Sequence, residues 1–333
     1  MNARTICLLA TLACSVGAPG AAAAQAPRAA AGTTGPYPEK PIRFLIGFPP
    51  GGGSDILARA IGQKLAERWG QQVVVDNRPG AAGNIAAEIA ARSAPDGYPL
   101  YLGTSGSHAI NVSLYRKLGY DPEKDFAPVS LVASAQNILV VHPSVAAQSV
   151  AQLVALAKQR PGQLSYASTG IGTSVHLAAE LFKRMTGADI AHVPYKGPAA
   201  VIDLISGQVH LLFGRIAVVL PHVKTGRLRA LAVTGAKRSM LLPDLPTVTE
   251  SGLPGFEVSA WFGVLVPAGT PGPIVTKLNA EIISILKDRG IRERLAADDF
   301  EPVSSTPQQF ASHIRAETEK WAKVIRQAGI RAD

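Results

Sequence analysis

The chain has 333 residues, a formal net charge of +9, 47% hydrophobic residues and 6% aromatic residues. A chain of this length can bury a large apolar core and favours two lobes over one. Its basic residues are scattered and its aromatic residues are sparse, which argues against nucleic acid as a partner and leaves a basic surface with a modest preference for anions.

The first 24 residues have the features of an export signal. Arg4 provides a basic head, the apolar run 6–16 is too short to span a bilayer comfortably, and the alanines at 21–24 allow cleavage before Gln25. A membrane anchor is the alternative, but no later segment is long and apolar enough to cross a membrane. We therefore predict a signal peptide at 1–24 and a periplasmic protein that does not itself span the membrane.

Both cysteines, Cys7 and Cys14, lie inside this leader. The sequence around Cys14 faintly resembles a lipoprotein cleavage site, but Thr11 stands where such a site prefers Leu, so lipidation is the less favoured alternative. After cleavage the chain would use no disulfide in an oxidising compartment, and its stability must come from a large apolar core. Residues 25–36 are mostly Ala, Gly, Pro and Thr, which predicts a disordered tether.

From residue 42 onward, short apolar runs alternate with segments of helical periodicity. In chain order, the predicted strands are 42–48, 73–75, 100–103, 164–167, 190–193, 211–213, 228–233 and 261–266. The predicted helices are 56–69, 84–91, 150–157, 175–185, 199–205, 220–224, 271–286 and 306–329. This alternation predicts an α/β protein with parallel strands and right-handed crossovers.

Proline and glycine are concentrated near residues 142–144 and 252–273, which suggests two crossings between lobes. We predict a first lobe formed by 37–139 plus 259–333 and a second lobe formed by 140–258. Two crossings would make a hinge, and ligand clefts favour the interface between two such lobes.

Glycine loop 1, residues 48–55, leaves the first predicted strand and enters the first predicted helix. Its glycines, including Gly51 and Gly52, let the backbone turn sharply and approach a ligand. The free N–H groups at the helix start favour an anion. Ser54 or Asp55 could instead cap that helix, which is the purely structural interpretation.

The hydroxyl loop, residues 103–108, follows another predicted strand and so lies at the same sheet edge. Thr104 and Ser105 can donate hydrogen bonds to a carboxylate. A hydrolase using Ser105 as nucleophile is an alternative, but Ser107 stands where a nucleophile elbow requires Gly, and His108 follows Ser105 too closely to be the usual base. The structural interpretation of His108 is a helix-start or wall residue.

Glycine loop 2, residues 168–174, repeats the first device in the second lobe: a strand, a glycine-rich turn, hydroxyl groups and a helix start. It lacks the Gly-Lys-Ser/Thr of a Walker motif, and His176 lies near the place of the third glycine of a dinucleotide fingerprint. Tyr195 ends the next strand and either faces the cleft or packs on the second lobe. The seven histidines show no metal-ligand spacing, so we predict no metal and no cofactor.

Together these loops resemble those of the Bug family, the periplasmic receptors of tripartite tricarboxylate transport systems. The resemblance covers residues 37 to about 330. The matching segments are 37–42, 48–55, 75–81 with 83–84, 93–98, 193–197, 207–209, 220–222 and 228–234. Each segment alone is a modest signal, whereas their order and spacing together are specific.

The resemblance implies a type II periplasmic-binding-protein fold, with two lobes joined by a hinge and the ligand cleft between them. It implies a non-catalytic receptor that captures a small organic carboxylate and delivers it to integral-membrane permease subunits. We also predict that the protein is a monomer. A sensor that binds a signalling partner would use the same closure and remains an alternative. The binding residues it implies are Phe48, Gly51, Gly52, Ser54, Asp55, Thr104, Ser105, His108, Ser168, Gly170, Gly172, Thr173 and Tyr195.

One position departs from the family pattern. Relatives often carry Asp-Asn after the strand at 211–213, whereas this chain has Gly214-Arg215. An arginine there argues against a ligand ammonium group. We hypothesise that Arg215 pairs with a second carboxylate or another electron-rich end of the ligand, the alternative being a surface arginine.

Overall fold

The computed structural model describes residues 37–195 and 199–332. The predicted signal peptide and tether lie outside the described residues.

The described chain alternates strands and helices, as the sequence predicts. The strands are β1 (Ile42–Ile46), β2 (Val73–Asn77), β3 (Pro99–Thr104), β4 (Phe126–Val141), β5 (Leu164–Ser168), β6 (Ile190–Pro194), β7 (Leu211–Arg215), β8 (Arg229–Val233), β9 (Ser259–Pro267) and β10 (Glu301–Pro302). The helices are α1 (Gly53–Trp69), α2 (Asn84–Ala91), α3 (Asn111–Leu114), α4 (Val150–Gln159), α5 (Ser174–Thr186), α6 (Ala199–Ile205), α7 (Ile216–Lys224), α8 (Gly272–Lys287), α9 (Arg289–Ala297) and α10 (Pro307–Ala328). A 3₁₀ turn at Ala81–Gly83 precedes α2, and a π-helical turn at Gly106–Ile110 precedes α3.

The strands follow the order β2-β1-β3-β9-β4-β7-β5-β6, with β8 and β10 pairing with β4 beside this path. Strand β1 is parallel to β2 and β3, and β5 is parallel to β6 and β7, which confirms the predicted parallel pairing in each lobe. Between these two groups, β9 and β4 run antiparallel to their neighbours, and the alternation of elements did not predict this.

Strand β4 belongs to both lobes. Its residues 126–136 pair with β9, whereas residues 137–141 pair with β7 and β8. The chain returns just before β9, where the N–H of Val258 donates to the carbonyl of Thr234 at 2.8 Å. The chain passes between the two groups of strands at these two places.

Strand β4 was not predicted, although it is the longest strand described. Pro128 interrupts its apolar pattern and coincides with a shift of register against β9. Gln136 and Asn137 are buried polar residues at the point where the strand changes partners. A central strand with proline and buried amides shows neither the clean alternation nor the apolar run that predicts strands.

Helices α1 and α10 form where the sequence places them. In α1, Leu57, Ile61 and Leu65 are fully buried, and Gly70 ends the helix in the left-handed conformation. Helix α10 begins with a capping box between Thr306 and Gln309, and its predicted apolar stripe is buried. Because α10 packs against the π-helical turn and α3 on one side and α5 on the other, it contacts both lobes.

Candidate functional site

A cavity of about 390 Å³ lies where loops of the two lobes face each other. Eight of the predicted site residues line it: Phe48, Gly52, Ser54, Thr104, Ser105, Gly172, Thr173 and Arg215. The other six predicted residues lie outside the lining: Gly51, Asp55, His108, Ser168, Gly170 and Tyr195. The structure therefore brings all three predicted loops to one place but separates the residues that face the cavity from those that support them.

Glycine loop 1 presents the N-terminus of α1 to the cavity. The N-cap residue is Gly52, in extended conformation, and in the described chain no side chain caps the helix. The capping role considered for Ser54 and Asp55 is therefore not found. Gly53 and Ser54, the first two helical residues, line the cavity, and their N–H groups have no carbonyl partner within the helix.

Asp55 supports this loop from behind. Its carboxylate accepts hydrogen bonds from the N–H of Gly51 at 3.0 Å, from Arg59 Nε at 2.9 Å and from Asn77 Nδ2 at 3.0 Å. Burial raises the pKa of Asp55, but these partners together outweigh burial and hold the pKa at about 2. Asp55 is therefore ionised and holds the loop in shape without lining the cavity.

The hydroxyl loop is closed by reciprocal hydrogen bonds. The N–H of Thr104 donates to Ser107 Oγ at 3.1 Å, and the N–H of Ser107 donates to Thr104 Oγ1 at 3.2 Å. His108 is fully buried among aromatic rings, and its Nδ1 lies 3.0 Å from Ser107 Oγ rather than against Ser105. Burial lowers the pKa of His108 to about 3, so the ring is neutral. This arrangement gives the hydrolase alternative no support.

Glycine loop 2 presents the N-terminus of α5 from the opposite lobe. Thr173 is the N-cap, and its hydroxyl accepts the N–H of His176 at 3.3 Å while donating to the carbonyl of Gly170 at 2.8 Å. The N–H of Gly172 donates to His176 Nδ1 at 3.0 Å. His176 Nδ1 is therefore an acceptor, which requires the neutral ring with its proton on Nε2.

A stack of rings that was not predicted lies behind this loop. His176 and His192 stack with centroids 4.2 Å apart, and Tyr166 stacks on His192 at 4.7 Å. Ser168 Oγ lies 2.7 Å from His192 Nε2, so this buried serine belongs to the support of the loop. Burial lowers the pKa of both histidines, that of His176 to about 4. These rings are far apart in the chain, and pairing of β5 with β6 brings them together.

The two lobes touch beside the cavity. Gly172 has φ of +76°, and a Cβ added there would lie 2.3 Å from Leu114 Cδ2 of the first lobe. Glycine at this position therefore allows the close approach of the two lobes in addition to the turn itself.

Tyr195 is half-buried and packs against the apolar core of the second lobe, outside the cavity lining. Of the two positions considered for Tyr195, this is packing on the second lobe rather than facing the cleft. Its backbone N–H donates to the carbonyl of Ser168 at 3.0 Å, so it follows the strand pairing of β5 and β6.

Arg215 ends β7 and lines the cavity. Its Nε lies 3.7 Å from Asp299 Oδ2, and its guanidinium carbon lies 5.5 Å from the centre of the Phe300 ring. Arg215 is the basic side chain of the described lining. It lies beside two residues of the first lobe, and among the described residues its buried Nε has no hydrogen-bond partner.

The cavity is also lined by residues that were not among the predicted binding residues. They are Pro49, Gly53, Ala82, Gly106, Ile110, Asn111, Leu114, Tyr115, Ile171, Ser174, Ala260 and Phe262. Five of them lie inside the predicted loops, and two more lie within one helical turn of the hydroxyl loop: Pro49, Gly53, Gly106, Ile171 and Ser174, and Ile110 and Asn111. Ala260 and Phe262 come from β9, where only the antiparallel pairing with β3 and β4 places them at the site.

Among residues 37–195 and 199–332, no group of three or more His, Cys, Asp or Glu is arranged to hold a metal ion. Within the same residues, every helix is too short or too polar to cross a bilayer.

Comparison with known proteins identifies the family. Residues 57–330 match the model of the tripartite tricarboxylate transporter family receptor. Protein BugT of Bordetella pertussis is 40% identical over 295 residues, which cover 88% of this chain and 90% of that protein.

Solved structures agree with this match. Rpa4515 of R. palustris, solved with adipate, is 43% identical with a TM-score of 0.75, covering 89% of this chain and 99% of its own. MatC of Rhodopseudomonas palustris, solved with bound malate, is 32% identical with a TM-score of 0.71, covering 87% of this chain and 100% of its own. The chain thus belongs to the family of tripartite tricarboxylate transporter receptors, known as Bug receptors, and has their two-lobed α/β fold, as its loops predicted.

Proposed function

We propose that this protein is a periplasmic receptor that holds a dicarboxylate in the cavity between its lobes and delivers it, chemically unchanged, to membrane permease subunits. The observation that carries this proposal is the pair of helix N-termini, α1 from one lobe and α5 from the other, that face one cavity. Both helices are long enough to carry a full end dipole.

The first carboxylate is assigned to the space between these helix ends. Free N–H groups of Gly53 and Ser54 on one side and of the first turn of α5 on the other donate to it, with the hydroxyls of Thr104 and Ser105 beside them. Asp55, His108, Ser168, Gly170 and Tyr195 act behind the lining, and Gly51 forms the turn.

The binding free energies expected at this site favour a ligand with a carbon chain. A carboxylate at one partly buried helix end gains up to about 2 kcal/mol, so two ends give about 4 kcal/mol. A dissociation constant of 1 μM requires about 8 kcal/mol. Four buried methylene groups add about 3 kcal/mol, and the walls formed by Phe48, Ile110 and Phe262 are apolar enough to receive them.

The second carboxylate is assigned to Arg215. Its planar guanidinium suits a carboxylate. The adipate and malate bound by the two homologous structures each carry two carboxylates, which supports a ligand of this class here.

The proposed lobes are 37–139 plus 259–333 and 140–258, with closure at the two chain crossings. The change of partners along β4 and the contact of Gly172 with Leu114 support this division.

Isothermal titration with adipate and hexanoate tests the proposal, because the two acids differ only in the second carboxylate. We expect the wild-type protein to prefer adipate by at least about tenfold. Arg215→Ala should remove this preference while leaving hexanoate affinity within about threefold. An unchanged preference in Arg215→Ala would contradict the assignment of Arg215.

Recovery of the ligand after prolonged incubation tests the absence of chemistry. Adipate and its dimethyl ester should both be recovered intact by mass spectrometry. Release of methanol by the wild type but not by Ser105→Ala would contradict the receptor assignment.

A further inference from the structure

We propose that Asp299 is a positioning residue for the second carboxylate of the ligand, acting through Arg215. This role rests on the proposed function of Arg215 and adds a residue outside the cavity lining that determines specificity.

Asp299 reaches from the first lobe to the backbone beside Arg215. It lies between α9 and β10, is buried, and accepts the N–H of Ala217 on Oδ2 at 3.3 Å. Ala217 is the second residue of α7, and Arg215 is the N-cap of that helix. The carboxylate therefore caps α7 from the other lobe and restrains the backbone from which the Arg215 side chain leaves.

The same carboxylate lies nearest to the Nε edge of the guanidinium. Nε is the nitrogen nearest to Asp299, at 3.7 Å. The two terminal nitrogens are thus farther from Asp299 and form the edge that suits a bidentate carboxylate. Because Oδ2 is also engaged by the helix N-terminus, we expect the backbone cap to contribute more to positioning than this long ion pair.

The next residue supports the other end of the site. The Phe300 ring stacks edge-on against Phe262 of the lining, with centroids 5.2 Å apart. A Cβ added at Gly53 would lie 2.8 Å from Phe300 Cζ, so the ring packs directly on the N-terminus of α1. One dipeptide, Asp299-Phe300, therefore supports both proposed carboxylate positions.

The backbone conformation at Asp299 would favour glycine, which indicates that the aspartate side chain has a role of its own. Its φ is +63°, in the left-handed region, at the position after the end of α9 where glycine is usual. Glycine would form this turn with less strain. The residue is instead an aspartate, and its carboxylate contacts Ala217 of the second lobe.

Substitutions at this turn can separate the effect of the carboxylate from that of the backbone conformation. Asp299→Gly removes the carboxylate and relieves the strained backbone, and these two effects on stability oppose each other. Asp299→Asn keeps an acceptor for Ala217 and tolerates the left-handed conformation. Asp298→Ala removes a charge one residue earlier and serves as the matched control.

Titration of each variant with adipate and hexanoate tests the proposal. Asp299→Gly should weaken adipate binding about tenfold and hexanoate binding less than about threefold. Asp299→Asn should keep adipate affinity within about threefold, as should Asp298→Ala. In an Arg215→Ala background, Asp299→Gly should weaken adipate binding by less than about a further threefold.

Three results would overturn this role. Asp299→Gly could weaken the binding of adipate and hexanoate equally, or it could weaken adipate binding in the Arg215→Ala background as much as in the wild type. The third is a loss of adipate affinity in Asp299→Asn as large as that in Asp299→Gly. Wild-type protein that binds hexanoate as tightly as adipate would overturn it together with the role of Arg215, while the carboxylate receptor would stand. Wild-type protein that binds neither acid nor any other small carboxylate would overturn the proposed function itself.

Discussion

The two glycine loops each present a helix N-terminus to the cavity, but different groups support them. Glycine loop 1 leaves its helix without a side-chain cap and is held by an ionised network around Asp55. Glycine loop 2 has a threonine cap and is held by neutral stacked rings, with His176 Nδ1 accepting a backbone N–H. One loop therefore depends on a charge being kept and the other on a charge being avoided, so the two should respond differently to mutation and to acid.

Removal of the Asp55 carboxylate should have the largest effect. Asp55→Ala leaves Asn77, Arg59 and the N–H of Gly51 without their partner, and we expect the free energy of unfolding to fall by about 3 kcal/mol. Urea unfolding followed by circular dichroism measures this. As the control, Glu293→Ala breaks an exposed pair with Arg289 and should change stability by less than about 0.5 kcal/mol. Equal losses would show that the Asp55 network does not support the loop.

Mild acid should weaken glycine loop 2 before loop 1. The pKa of His176 is lowered from 6.5 to about 4, so its contribution is complete above pH 6.5 and is lost as the pH falls toward 4, because the unfolded chain binds the proton first. We expect a loss of about 2 kcal/mol over that range.

The pKa of Asp55 is lowered from 3.8 to about 2, so its contribution is lost only as the pH falls from about 4 toward 2. Because His108 and His192 also titrate low, the informative quantity is the difference between wild type and His176→Asn. That variant should show a shallower decline of stability between pH 6.5 and 4, and parallel curves would argue against the neutral stack as the acid-sensitive element.

Glycine-to-alanine substitutions compare the two turns directly. Gly51 and Gly172 have φ of +78° and +76°, but a Cβ at Gly51 meets nothing within 4 Å whereas one at Gly172 meets Leu114 of the other lobe. Both variants carry backbone strain of about 1 kcal/mol. Only Gly172→Ala should also oppose closure, so we expect its adipate affinity to fall about tenfold further than that of Gly51→Ala. Equal affinities by calorimetry would indicate that Leu114 moves aside freely.

The smallest expected difference concerns the two hydroxyl groups at the helix starts. Thr173→Ala removes a cap and should destabilise the protein by about 1 kcal/mol, whereas Ser54→Ala removes none and should change stability by less than about 0.5 kcal/mol. Both residues line the cavity, so both substitutions should weaken carboxylate binding. Denaturant unfolding and titration together separate the two roles, and an equally destabilising Ser54→Ala would contradict the absence of a cap on α1.

Local patterns were enough for the loops and the helices around them. A strand followed by glycines and a helix start predicts outward N–H groups whatever the rest of the chain does, since the first turn of any helix lacks internal partners. Phe48, Ser54, Thr104, Gly172 and Thr173 accordingly lie in the cavity lining. The predicted bounds of the last helix, 306–329, also agree with the structure, where Thr306 caps the helix and Gly329 ends it.

Tertiary structure alone decided which of the polar loop residues face the cavity and which support it. Asp55 and His108 have the chemistry of ligand-binding residues, but their hydrogen bonds go to Asn77 and Ser107. The pairing of β4 with both halves of the sheet, the stack behind glycine loop 2 and the reach of Asp299 to α7 all join residues distant in the chain. Periodicity reports only which neighbours share a face, and contacts made by folding the chain back on itself leave no trace in local spacing.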